Sequence, residues 1–116
     1  MDIIVTLPQY IEWADYQLEL DAVADWSGVL NYKVPEPSIP AGFSSAERCY
    51  LLWRGAVRGW MKIVGVELKR TGFTCATSGK RWGPGVYIQR SGPFHRLAEP
   101  VFMRGFQGWR YWEETI

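Results

Sequence analysis

The sequence predicts an α+β fold built mostly of strands, a small curved β-barrel with an N-terminal amphipathic helix packed against it. Three observations carry this expectation. Residues 48–69 have the composition of a β-hairpin, glycines interrupt the hairpin's second arm where a sheet would curl, and helical periodicity is confined to the first quarter of the chain. At 116 residues and 47% hydrophobic content, the chain suits one domain, 1–116, with a modest core.

Ile3-Ile4-Val5 is a short apolar run suited to a first strand. Thr6-Leu7-Pro8-Gln9 has the T-x-x-Q pattern of a capping box with proline in the first turn, so a helix is expected to start there. Leu7, Ile11, Ala14, Leu18 and Ala22 follow the spacing of a buried helical stripe, Glu12, Asp15 and Glu19 fall on another face, and the helix is expected to reach about Ala24. After Trp26-Ser27-Gly28, Val29 to Val34 reads as a strand closed by Pro35, followed by a loop holding Pro37, Pro40 and Gly42. The hairpin comprises Arg48 to Arg54, a turn at Gly55-Ala56, and Val57 to Lys69, with Gly59 and Gly65 marking bulges or bends. Further strands are expected at Gly85 to Arg90, Val101 to Arg104 and Trp109 to Trp112, separated by glycine- and proline-rich turns.

Charge is sorted along the chain. From Met1 to Glu47 eight carboxylates face one base, Lys33, whereas from Arg48 onward twelve bases face four carboxylates, so the formal net charge of +1 conceals an acidic segment followed by a basic one. The basic part interleaves its arginines with Trp53, Trp60, Trp82, Tyr87, Trp109 and Trp112, a mixture suited to stacking on bases beside phosphate contacts. Arg48, Arg54, Arg58, Arg90, Arg96, Arg104 and Arg110 are expected along one side of the curled sheet. No apolar run approaches the roughly 20 residues that span a bilayer, and Met1-Asp2-Ile3-Ile4-Val5 lacks the basic region of a signal peptide, which predicts a cytoplasmic protein without membrane partners. Cys49 and Cys75 stand outside any C-x-x-C pair and fit two reduced core thiols.

Trp82-Gly-Pro-Gly-Val-Tyr-Ile, followed by Pro100-Val-Phe-Met-Arg-Gly105-Phe-Gln-Gly108-Trp109, resembles the closing strands of the PUA-like superfamily, which includes ASCH, EVE and YTH domains. Tyr50-Leu-Leu-Trp-Arg-Gly55-Ala-Val-Arg-Gly59-Trp-Met-Lys-Ile-Val-Gly65-Val resembles their central hairpin, and Trp26-Ser-Gly-Val-Leu-Asn-Tyr-Lys33 takes the place of the early strand that lines their pocket. The resemblance implies a small curved barrel with a helix against it and a pocket for a nucleobase, often a modified one. ASCH proteins typically carry a G-x-K-T-x-E-x-R-like segment near the start. Here Gly28-Val-Leu-Asn-Tyr-Lys33 lacks the Lys-Thr pair and the Glu, so only Asn31 and Lys33 carry over, as polar residues of the corresponding strand.

The chemistry-bearing residues are sparse. The single histidine, His95, with Cys49 and Cys75 gives no recognisable zinc spacing, so neither a metal nor another cofactor is expected, and nothing local activates Cys75 and His95 as a nucleophilic pair. Thr77-Ser78-Gly79-Lys80-Arg81 fails as a phosphate loop because Arg81 stands where magnesium binding needs Ser or Thr. The expected function is a nucleic-acid-binding module, taking single-stranded RNA in preference to DNA, or a modified base held in the barrel pocket. Trp26 and Trp82, in glycine-flanked segments, are expected to stack on bases, and Trp53, Trp60 and Trp109 to fill the core. Asn31 and Lys33 are expected to hydrogen-bond the base, and Lys80, Arg81, Arg90 and Arg96 to hold the backbone. Two other readings stay open: an ASCH-like hydrolase acting on a modified nucleoside or RNA through Lys33 and Glu67, and a protein-interaction module docking through its acidic N-terminal helix.

Overall fold

Ile3, Ile4 and Val5 have no exposed surface at all, and the reason is their position. They lie in β1 (Asp2–Thr6), which in the computed structural model runs between β3 (Arg48–Trp53), parallel to it, and β8 (Trp109–Trp112), antiparallel. The structure describes residues 2–26, 29–75 and 79–112, with the side chains of 23–26 left aside. Strand alternation sends Ile3, Val5, Cys49 and Leu51 into one apolar cluster and Ile4, Tyr50 and Leu52 into a second on the opposite face. A strand covered on both sides reads as an unbroken apolar run, as this one does.

The remaining elements are α1 (Trp13–Trp26), β2 (Leu30–Val34), a 3₁₀ turn at Phe43–Ser45, β4 (Ala56–Lys69), β5 (Phe73–Thr74), β6 (Arg81–Trp82) and β7 (Gly85–Phe102). Six strands form one sheet in the order β2-β7-β4-β3-β1-β8, and β5 and β6 form a separate ribbon. The expected barrel is only half realised: the sheet curls into a half-barrel whose edges, β2 and β8, are not paired with each other. A side chain closes part of the gap, since the Tyr32 hydroxyl in β2 reaches the carbonyls of Thr6 (3.4 Å) and Gly108 (3.3 Å). Among the described residues no helix is long and apolar enough to cross a membrane.

The hairpin forms with its turn one residue earlier than expected, at Arg54-Gly55. Both residues have positive φ, 48° and 77°, the type I′ geometry that matches the twist of adjoining strands. Gly59 and Gly65 do border register shifts in the β4–β7 pairing. At Gly59 a Cβ would overlap the His95 carbonyl and the Phe94 ring, so the sheet bends there only because that atom is missing. β7 replaces two expected strands. It runs unbroken for 18 residues, and Pro93, lacking an N–H, is tolerated because it falls in the bulge between Ser91 and His95.

The helix differs from its expected form in both start and orientation. Thr6 ends β1, its N–H bonding to the Gly108 carbonyl at 2.9 Å, so no capping box forms and the helix begins at Trp13. The buried face carries Trp13, Tyr16 and Leu20, while Leu18 is 67% exposed. Aromatic area decides the rotation: Trp13 packs on Trp53 (5.6 Å between centroids) and Phe94 (5.7 Å), a larger contact than the alanines of the alternative stripe could make.

Replacing Gly59 by alanine is expected to cost about 1–3 kcal/mol through overpacking against the β7 backbone. Gly105→Ala, where a Cβ meets nothing within 4 Å, should stay within about 0.5 kcal/mol of the parent. Urea denaturation of the two variants checks the contrast.

Candidate functional site

At the carboxyl end of β1, six segments converge on a cavity of about 600 Å³: the turn at 7–11, α1, β2, the ribbon through Cys75, Lys80 and Trp82, β7 through Arg90, and the loop at 106–108. Of the residues expected in a binding site, Asn31, Lys33, Lys80, Trp82 and Arg90 line it. Because β2 is an edge strand, the cavity wraps around it. Alternation turns Tyr32 toward the apolar cluster under the helix and Asn31 and Lys33 to the other face.

The outer part is held by the ribbon. Phe73 meets Tyr87 edge-on at 4.9 Å, the Tyr87 hydroxyl donates to the Gly83 carbonyl at 2.6 Å, and Phe73 pairs with Trp82. These contacts place the half-buried Trp82 indole at the cavity wall with the Lys80 ammonium 4.6 Å from its ring centroid. The Lys33 stem passes over Gly85, where a Cβ would come within 2.8 Å of its Cε. Cys75, expected in the core, is half-buried on this lining, whereas Cys49 is fully buried.

The inner part is built around Arg90, which corrects the expectation of a surface phosphate contact: its residue is only 1% exposed. Val86, Ile88 and Arg90 share one face of β7, and that face lies under α1. The guanidinium donates through Nε to the Leu30 carbonyl (3.3 Å) and through Nη2 to the Tyr16 hydroxyl (3.2 Å), lies 5.6 Å from the Tyr32 ring centroid, and reaches the Cys49 thiol. Burial raises the pKa of the Tyr16 hydroxyl and the Cys49 thiol even against the pull of Arg90. Burial likewise pushes Tyr32 up to about 12, so these neighbours are neutral near pH 7.

Four buried side-chain polar atoms among the described residues have no hydrogen-bond partner: Thr6 Oγ1, Asn31 Oδ1, Arg90 Nη1 and Trp112 Nε1. The first three belong to residues of this one cavity. Unsatisfied buried polar groups are scarce in folded proteins, and three of these four gather on residues of one cavity.

Other expected site residues lie elsewhere. Arg81 is exposed on the ribbon beside the cavity, and Arg96 extends over the helix to Gln17 (3.0 Å). The Trp26 side chain is outside the described residues, as are Thr77 and Ser78, and the Trp26 backbone closes α1 instead of opening a strand. Lys33 and Glu67 both register on Tyr87 from opposite sides of β7, which separates them by two strand spacings, about 10 Å. Glu67 accepts from Gln89 at 2.9 Å, approaches Lys69 at 3.7 Å and does not line the cavity. The arginines do not share one side of the sheet: Arg48 lies over Trp60, Arg54 and Arg58 over Trp53, and Arg110 over Phe106. Trp53, Trp60 and Trp109 are half-buried against the two cores, and His95 stacks on Trp60 at 4.0 Å. Tyr16, Tyr32 and Thr6 were missed as site residues, although Tyr32 sits between the two that were named. Compared with protein-family models, with curated proteins and with solved structures, the chain matches none.

Tyr32 gives the site a measurable signature. Its pKa rises from 10.0 to about 12 on folding, so the unfolded chain releases this proton first and stability falls as pH climbs through that interval, by roughly 2–3 kcal/mol. Below pH 10 the contribution is fully present. Urea midpoints at pH 9.5 and 11.5 should drop further in the parent than in Tyr32→Phe, and equal drops would show that Tyr32 is not buried as described.

Proposed function

We propose that this chain is a nucleic-acid-binding module of PUA-like kind, holding one base of single-stranded RNA in the cavity around β2. The observation that carries the reading is the coincidence, among the residues of one cavity, of the Trp82 indole with three buried polar atoms that lack partners, Thr6 Oγ1, Asn31 Oδ1 and Arg90 Nη1, and with the ammonium groups of Lys33 and Lys80. An aromatic wall stacks on any base, and unpartnered donors and acceptors read its edge. Trp82 stacks, Asn31 Oδ1 accepts from the base, Lys33 hydrogen-bonds it from the same face, and Lys80 and exposed Arg81 contact phosphates along the ribbon. RNA is favoured over DNA because a ribose hydroxyl, both donor and acceptor, offers the orphaned Thr6 and Asn31 groups one further partner.

Intrinsic fluorescence should be quenched saturably by mixed-sequence single-stranded RNA and less so at raised salt. Trp82→Ala is expected to weaken binding by about 1–3 kcal/mol on all sequences. Replacing both Lys80 and Arg81 by alanine should flatten the logarithmic salt dependence by about 1.4, two single-strand phosphate contacts. Asn31→Ala should lower affinity in a base-dependent manner. An RNA titration with no quenching at either salt rejects the reading.

A further inference from the structure

The cavity contains a positive charge to which no described residue supplies a negative partner. Arg90 is 1% exposed, and its contacts are a carbonyl, a phenol and a thiol. The side chains that act on its charge are those of Tyr16 and Cys49, neither of them a carboxylate. An arginine withdrawn from water carries a desolvation cost of several kcal/mol, which neutral hydrogen-bond acceptors offset only in part.

The lining shows what charge is wanted. Lys33, Lys80 and Arg90 are cationic and Glu19 alone, among the described residues, is anionic, an excess of two positive charges. A phosphate monoester carries −1.5 to −2 at pH 7 with three acceptor oxygens, whereas a carboxylate or an internal phosphodiester carries one negative charge. Nε and Nη2 of Arg90 are already engaged, which leaves Nη1 to meet one phosphate oxygen. Tyr32 lines the way from this nitrogen to the rest of the cavity, its ring beside Arg90 and its hydroxyl on the Thr6 carbonyl.

We infer that the cavity takes a terminal nucleotide, its phosphate monoester on Arg90 and its base toward Trp82, supplied either as a free mononucleotide or as the phosphorylated end of a strand. This rests on the base-binding reading above and narrows it. About 600 Å³ is the size of a site for one small-molecule ligand. A strand passing through would need both neighbouring nucleotides accommodated beside a guanidinium that has almost no solvent contact. Ligand charge also sets the pH response: affinity rises as the phosphate loses its second proton, near pH 6, and levels off above it.

Calorimetric titration of the full chain with uridine and adenosine, their 5′- and 3′-monophosphates, inorganic phosphate, and short RNAs with phosphorylated or hydroxyl ends tests this. The monophosphates should bind at least tenfold tighter than the nucleosides. Arg90→Met should erase that preference while Arg104→Ala, exposed and outside the cavity, keeps it. Should Arg90→Met fail to fold, the Arg90 Nε–H resonance of the unmutated protein serves instead, moving with monophosphate and not with nucleoside. Binding of phosphorylated RNA ends together with mononucleotides assigns the strand end as the source, and binding of mononucleotides alone assigns the free nucleotide. Equal affinity for nucleosides and monophosphates, for hydroxyl and phosphorylated ends, or an unmoved resonance, overturns the terminal-phosphate assignment and leaves the base reading intact. Inorganic phosphate binding as tightly as the mononucleotides overturns the nucleotide while retaining the anion site, and no binding by any of these ligands overturns both readings.

Discussion

A cation inside the apolar half of this molecule must be held by groups drawn from several elements at once, and Arg90 is held in that way. Leu30 of β2, Tyr16 of α1, Cys49 of β3 and Tyr32 of β2 all meet one guanidinium on β7. The helix therefore has its rotation set twice over, by Trp13 packing on Trp53 and Phe94 and by Tyr16 reaching the buried charge. Removing one of these neutral partners leaves a guanidinium N–H unsatisfied in the interior, a larger loss than that of a surface pair. Stability and binding are consequently drawn from the same atoms, because the interactions that tie β2 to the sheet also shape the cavity at its edge.

The curl of the sheet does the remaining positioning. Three register shifts between β4 and β7 bend two long strands that would otherwise lie flat, and the missing Cβ of Gly59 allows the closest of those approaches. Bent this far, the sheet brings β2 near the end of β1 without pairing it to β8, and Tyr32 spans the opening. An incompletely closed barrel leaves backbone and side chains of one edge available to line a cavity, something full closure would remove.

Much of this was legible in the chain. The hairpin, its glycine bulges and the apolar run of β1 follow from period and turn chemistry that local sequence encodes directly. The helix departs from its expected start and face because strand pairing overrides the capping pattern of Thr6-Leu7-Pro8-Gln9, and because Trp13 and Tyr16 bury more area than the aliphatic stripe. The burial of Arg90 is readable from alternation, since the apolar Val86 and Ile88 stand four and two residues before it on the same strand face. What could not be read was the meeting of Tyr16, Tyr32 and Arg90, which depends on a crossover helix and an edge-strand pairing, contacts with no local signature.

The central placement of β1 also bears on how the chain comes to fold. One of its neighbours, β3, lies beyond the helix and β2, and the other, β8, holds the last described residues. During synthesis Ile3, Ile4 and Val5 leave the ribosome before either flanking strand exists, so a tripeptide with no exposed surface in the folded state waits uncovered until both have emerged. Loop-closure entropy delays such distant pairings, and an apolar strand with two unpaired edges is open to contact with other chains in the interval. The order of emergence places the burden of solubility on what comes directly after it, the carboxylates of the first helix, whose charge repels like segments before the sheet can enclose the strand.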